Sequence, residues 1–438
     1  MAMTSSVLLP DIPASAAITV PPDIFTRRES NVRSYCRSFP AVFAKSRGAT
    51  MWDEAGRAYI DFFAGAGTVN YGHNEPRLVQ AVIEYLSGDG IVHSLDLHTV
   101  AKRTFLEEFE RTVLEPRGMA HRVQCPGPTG TNAVEAALKL ARKVTGRRTV
   151  VAFSNGYHGM TLGALAVTAN PLARAGAGVP LPHVRVAPYE GNQGVATTEA
   201  LDALSQQLLL ADQQDGGVAA IILECIQGEG GVNAASTEWL QGVAARAQAH
   251  GALLIVDDIQ AGCGRSGTFF SFEPAGIDPD IILLSKAIGG VGMPMALVLH
   301  RPEHDCWQPG EHNGTFRGFN LAFVAATAAL RHFWRDDVLA RSVARHGAIV
   351  TDALAEMVRA HPACALSTRG RGLMQGLRCE DPALAARIGR AAWDRGLVIE
   401  RSGREDEVVK LMPPLVIRDD ELGRGLEILA EALHAATH

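Results

Sequence analysis

The chain has 438 residues, of which 47% are hydrophobic and 20% charged, with a formal net charge of −6. That length allows two or three domains around a large core, and the balance is that of a soluble globular enzyme. A mildly acidic chain gives no electrostatic reason to bind nucleic acid or a membrane surface, and no apolar run approaches the roughly 18 residues of a spanning helix.

Residues 1–22 read as a loose N-terminal arm. Their short Val7-Leu8-Leu9 run follows no basic stretch, so no secretory signal is expected, and no apolar segment follows Arg27-Arg28. Thr50 to Asp61 alternate like a hairpin, with Glu54-Ala55-Gly56 as the turn. Val134, Ala137, Leu138 and Ala141 stand at i, i+3, i+4 and i+7, which predicts a helix over 132–143 capped by Thr131 or Asn132. Thr149-Val150-Val151-Ala152-Phe153 reads as a strand. Leu240, Val243, Ala244 and Ala247 predict a helix over 237–250 that stops at Gly251.

From about residue 331 the chain turns to long helices, with a Pro413-Pro414 break and a last helix bearing Leu422, Leu426, Leu429 and Leu433. The expected division is therefore 1–75 as an arm and a segment joining a small domain, 76–330 as a large domain, and 331–438 as the small α+β domain. Strands alternating with helices of this length predict an α/β architecture with a mostly parallel sheet. The seven cysteines are scattered, with no C-x-x-C. Reduced thiols in the cytoplasm are expected, and no metal-ligand spacing stands out.

Three apolar runs carry the chemistry. Ala219 to Leu223 ends at Glu224, Ala252 to Val256 at Asp257-Asp258, and Ile281 to Ser285 at Lys286. Continuous apolar runs of this length read as buried parallel strands, and ligands sit at the carboxyl ends of such strands. An acid and a lysine there suit pyridoxal 5'-phosphate, whose carbonyl a lysine holds as a Schiff base and whose ring nitrogen a carboxylate keeps protonated. A strand-end aspartate also serves as a helix cap, and a strand-end lysine is often simply solvated.

Gly127-Pro128-Thr129-Gly130-Thr131 leads into a helix and offers N–H groups and hydroxyls to a phosphate, though an ordinary helix-entry turn fits equally. Tyr157 follows a strand and could stack on a flat ring or merely cover the core. Gln260, three residues after Asp257, could donate to a ring hydroxyl.

These motifs resemble the class III pyridoxal phosphate aminotransferases from about Ser34 to near the C-terminus. The central match is Val256-Asp257-Asp258-Ile259-Gln260-Ala261-Gly262-Cys263-Gly264-Arg265-Ser266-Gly267, followed by Ser285-Lys286. The resemblance implies fold type I, with Lys286 as the Schiff-base lysine and Asp257 at the ring nitrogen. It also implies Gln260 at the ring hydroxyl, Tyr157 on the ring, and Gly130 and Thr131 at the phosphate. Thr315, in Asn313-Gly314-Thr315-Phe316, matches a threonine that reaches the neighbouring subunit's phosphate, implying a homodimer or higher homo-oligomer with shared sites.

Asn31 to Pro40, Phe62 to Gly67 and Pro126 to Ala133 further resemble the diaminobutyrate–2-oxoglutarate group within that family, which serves ectoine, siderophore or peptide synthesis. This implies amino-acid and 2-oxoacid substrates: L-glutamate and L-aspartate 4-semialdehyde giving L-2,4-diaminobutyrate and 2-oxoglutarate. Other ω-aminotransferases (ornithine, GABA, acetylornithine) and a racemase or aminomutase are the rival expectations.

Two positions depart from the ornithine-type pattern. Glu229 matches a switch glutamate whose partner is an arginine, and Lys410 stands in the arginine's place. A lysine offers a point charge without the bidentate fork. Met160 replaces an arginine that would hold a distal carboxylate.

Overall fold

The structure is a computed structural model that describes residues 23–438. The expected arm and the Val7-Leu8-Leu9 run lie outside the described residues. The segment ending at Ala41 is a unit of its own, with short helices Ile24–Arg28 and Tyr35–Ser38. The Asp23 side chain caps the first of these by accepting from the Thr26 N–H.

Val42–His438 forms the second unit. Its centre is a seven-stranded sheet, in the order Arg122–Gln124, Leu297–His300, Ile281–Leu284, Leu253–Asp257, Val218–Leu223, Thr149–Phe153 and Val184–Ala187. The last five strands of that order run parallel, and Leu297–His300 is antiparallel to both its neighbours.

The apolar runs explain this layering. Successive side chains point to opposite faces of a strand. Val151, Phe153, Ile221, Leu223, Leu254, Val256, Ile282 and Leu284 pack into one core. Val150, Ala152, Ala220, Ile222, Leu253, Ile255, Ile281 and Leu283 pack into another. Both faces are covered, so strands without polar alternation are the stable choice.

The predicted helix at 132–143 runs from Gly130 to Thr145 and buries Val134, Ala137, Leu138 and Ala141. Its N-cap position is Thr129, not Thr131 or Asn132, because the Thr129 carbonyl already accepts from the Asn132 and Ala133 N–H groups. Thr131 therefore lies in the first turn, where N–H groups have no intrahelical partner. The helix expected over 237–250 is Thr237–Ala249, capped by Ser236 and followed by Gly251 at φ +59°.

Strands Thr50–Asp53 and Ala58–Asp61 form the expected hairpin, and Ala58–Asp61 also pairs in parallel with Leu397–Val398. A separate antiparallel sheet runs Leu366–Arg371, Met374–Cys379, Val408–Leu411 and Glu400–Ser402. The last helix, Asp419–Thr437, buries all four predicted leucines, each worth roughly 1.5–3 kcal/mol when fully buried. No helix among the described residues is long and apolar enough to cross a membrane.

Candidate active site

The parallel strands bring their carboxyl ends to one edge of the sheet. Asp257 closes its strand there, and Lys286 follows two residues after Leu284. Lys286 has φ +52°, a left-handed conformation that a side-chain-bearing residue adopts at a cost of roughly 1–3 kcal/mol. Its Nζ donates to the Ala66 carbonyl at 2.9 Å. That carbonyl belongs to three successive left-handed residues, Ala64, Gly65 and Ala66, with φ between +49° and +58°. Burial lowers the Lys286 pKa, because removal of water disfavours the ammonium, and the attraction of Glu229 only partly offsets this. Burial thus moves Lys286 toward the neutral, nucleophilic form of the amine.

Asp257 Oδ2 lies 2.7 Å from His158 Nδ1, and both residues are buried. Asp257 Oδ1 accepts from the Ile259 N–H at 3.2 Å. Burial alone would lower the His158 pKa, but the hydrogen bond and charge of Asp257 outweigh it and raise it. His158 directly follows Tyr157 in the sequence, and only the fold reveals its partner. Glu224 joins the two loops beside this pair, accepting from the Tyr157 N–H at 2.9 Å and the Gly228 N–H at 3.2 Å. Burial, with a smaller push from Asp257, raises its pKa to about 7 against the opposing pull of His158.

Lys410 lies between two carboxylates. Its Nζ is 2.9 Å from Glu229 Oε1 and 3.0 Å from Glu400 Oε2. Glu400 carries no motif signal, and only strand pairing places it opposite Lys410. Burial would raise the Glu229 pKa, but Lys410 first and Lys286 second overcome it and hold the carboxyl at about 2. Gln260 completes the group: its Nε2 donates to the Ala66 carbonyl at 3.0 Å and to Glu229 Oε1 at 3.1 Å. Its Oε1 is buried without a hydrogen-bond partner.

The start of Gly130–Thr145 lies against the same centre. A Cβ at Gly130 would come 3.0 Å from Ile259 Cδ1, so glycine permits this approach. Thr131 Oγ1 is 2.7 Å from Thr161 Oγ1, and Thr161 in turn donates to Glu135. Tyr157 and Glu229 line a cavity of about 360 Å³, within the size range of small-ligand pockets. Thr315 is exposed on a turn, where its carbonyl accepts from His93 Nε2. Among the described residues, no hydrogen bond or ion pair joins it to the Lys286 group.

The donor set fits a flat phosphorylated aldehyde. Helix N-terminal N–H groups with a threonine hydroxyl suit the phosphate. Asp257, fixed by His158, suits a protonated ring nitrogen. Gln260 does not donate as expected, since its Nε2 is taken by Ala66 and Glu229, and its unpartnered Oε1 suits a ring hydroxyl that donates.

A mostly parallel sheet with a low-basicity lysine and a braced aspartate at its carboxyl edge defines a lysine-dependent α/β transferase. Residues 33–433 match the model of the family Aminotransferase class-III, and the chain belongs to that family. It is 55% identical over 418 residues to the diaminobutyrate–2-oxoglutarate transaminase of Nocardia farcinica, covering 95% of each chain. It is 51% identical over 416 residues to the enzyme of that name from Halalkalibacterium halodurans, covering 94% of this chain and 96% of that one. Among solved structures, a Toxoplasma gondii ornithine aminotransferase with partly occupied PLP superposes with a TM-score of 0.82 at 27% identity. That match covers 94% of this chain and 93% of the other.

Proposed function

We propose that this protein is a pyridoxal 5'-phosphate-dependent aminotransferase that converts L-glutamate and L-aspartate 4-semialdehyde to L-2,4-diaminobutyrate and 2-oxoglutarate, reversibly and in two half-reactions. The observation that carries the chemistry is the buried Lys286 amine, its pKa lowered by loss of water, at the same sheet edge as the Asp257–His158 pair. The names of relatives at 51–55% identity support the substrates.

Pyridoxal phosphate, when bound, supplies a carbonyl for the substrate amine and a ring that takes up electrons as the substrate Cα–H bond breaks. Gly130 and Thr131 would hold its phosphate, Asp257 its ring nitrogen, Gln260 its ring hydroxyl, and Tyr157 would lie against the ring. Lys286 Nζ would take the glutamate Cα proton and pass it on to the cofactor's carbonyl carbon, not back to Cα. Lys410 receives the glutamate α-carboxylate once Glu229 gives way. Thr315 serves the phosphate of a neighbouring subunit in a homodimer.

For the division into 76–330 and 331–438, and for the part of the 1–75 segment beyond Ala41 that joins the latter, sheet membership is the support. The seven strands lie within 122–300, and Ala58–Asp61 pairs with Leu397–Val398. Cytoplasmic placement rests on seven free cysteines, and the product would feed ectoine, siderophore or peptide synthesis.

The test is to give the yellow holoenzyme single amino donors without acceptor and follow the cofactor absorbance. Diaminobutyrate and glutamate should convert it rapidly, and the Lys286→Ala protein should not turn over. Conversion by ornithine or GABA in their place would overturn the substrate, and loss of chirality without conversion would point to a racemase.

A further inference from the structure

We propose that Glu400 is a positioning residue that pins the Lys410 ammonium, so that an incoming substrate carboxylate displaces Glu229 without moving the lysine. The inference rests on the reading of Lys410 as the receiver of the glutamate α-carboxylate.

The two carboxylates on Lys410 differ in how they are held. Glu400 and Lys410 are directly opposite in the antiparallel pair Glu400–Ser402 and Val408–Leu411. Residues directly opposite share a face and meet side chain to side chain. The Glu400–Lys410 contact is therefore fixed by strand register. The Glu400 side chain is 6% exposed, and its buried Oε2 has the Lys410 ammonium as ion-pair partner at 3.0 Å and no hydrogen-bond donor. Glu229 is mounted differently. It sits between Gly228 and Gly230, in the turn joining the short strands Ile226–Gln227 and Asn233–Ala234, and its side chain is 30% exposed. One partner is on a strand and the other on a glycine-flanked turn at the cavity wall.

A lysine ammonium rides on a flexible four-carbon stem and lacks the fork that orients an arginine. With Glu229 as its sole anion, the ammonium would follow that carboxylate as the turn moves. Glu400 removes this freedom. When a substrate carboxylate takes the place of Glu229, Lys410 keeps one fixed anion and exchanges the other. The number of charges around it is the same before and after, so the exchange does not strand a buried cation. A substrate that presents no carboxylate at this point leaves the three-membered group closed.

The two half-reactions separate this role from support of the fold. Holoenzymes carrying Glu400→Gln and Glu400→Leu are given glutamate or diaminobutyrate alone, and the cofactor absorbance is followed. The glutamate KM should rise about 10- to 100-fold, the lower part of the range for one close charge pair, with less change in the maximal rate. The diaminobutyrate half-reaction of the same preparations should stay within about threefold of the natural protein and so reports correct folding. Glu400→Asp should recover part of the glutamate affinity. Equal slowing of both half-reactions, or an unchanged glutamate KM, would overturn the proposal. Lys410→Met distinguishes the underlying reading: an unchanged glutamate KM in that variant would remove Lys410 as the carboxylate receiver, whatever Glu400 does.

Discussion

Replacing Lys410 by methionine leaves two carboxylates facing the space that its ammonium filled. The natural lysine side chain is fully buried, 2.9 Å from Glu229 and 3.0 Å from Glu400. The Glu229 carboxyl lies at about 2 instead of its ordinary 4.5, held down by Lys410 first and Lys286 second. Removing one partner of a buried ion pair costs about 3–5 kcal/mol in general. Lys410→Met should therefore be less stable by about 3 kcal/mol, read as the change in urea unfolding of the cofactor-free proteins at pH 7.

The sign with pH follows from a depressed carboxyl. Its contribution is complete above pH 4.5 and is lost as the pH falls toward 2. The gap between natural protein and variant should hold from pH 6 to 8 and close in acid. Glu229→Gln/Lys410→Met should regain part of the loss, since it removes one stranded anion. A Lys410→Met protein within about 0.5 kcal/mol of the natural one, or a double variant no better than the single, would refute the reasoning.

Asp257→Asn should slow the glutamate half-reaction at least about 100-fold, the scale for removing one preorganised electrostatic contact. The His158 pKa is raised in the fold, so the pair's stabilisation is complete below about pH 6.5 and lost as pH rises through the folded-state value. Thermal melts of both proteins against pH check this, and a gap that widens with pH would contradict it. Gly159 has φ +125°, and a Cβ there would come 2.3 Å from Thr131 Oγ1. Gly159→Ala should therefore weaken pyridoxal phosphate binding about tenfold or more, measured by fluorescence titration of the cofactor-free protein. Asp258 is buried and its carboxyl rises to about 7, so its contribution is complete below pH 3.8 and lost as pH rises through 7. Asp258→Asn should melt higher than the natural protein at pH 8 and lose that advantage near pH 5.

The strands were legible because an uninterrupted apolar run such as Val218–Leu223 has one stable place, between two covered faces. Helices followed from spacing, as with Val134, Ala137, Leu138 and Ala141. Lys286, Asp257 and Glu224 were legible as strand ends, since a parallel sheet gathers its carboxyl termini on one edge. The start of the helix at Gly130 was not, because which carbonyl accepts first depends on the backbone of Thr129.

Tertiary structure alone decided the partners. Asp257 meets His158 across 99 residues, Lys410 meets Glu229 across 181, and the Ala66 carbonyl meets Lys286 across 220. Local pattern fixes a residue's periodicity and burial, whereas these contacts depend on strand register and on a left-handed turn at Ala64–Ala66. Glu400 shows the difference most plainly: the sequence offers a glutamate near a strand, and only the register that sets it opposite Lys410 gives it a charge to hold.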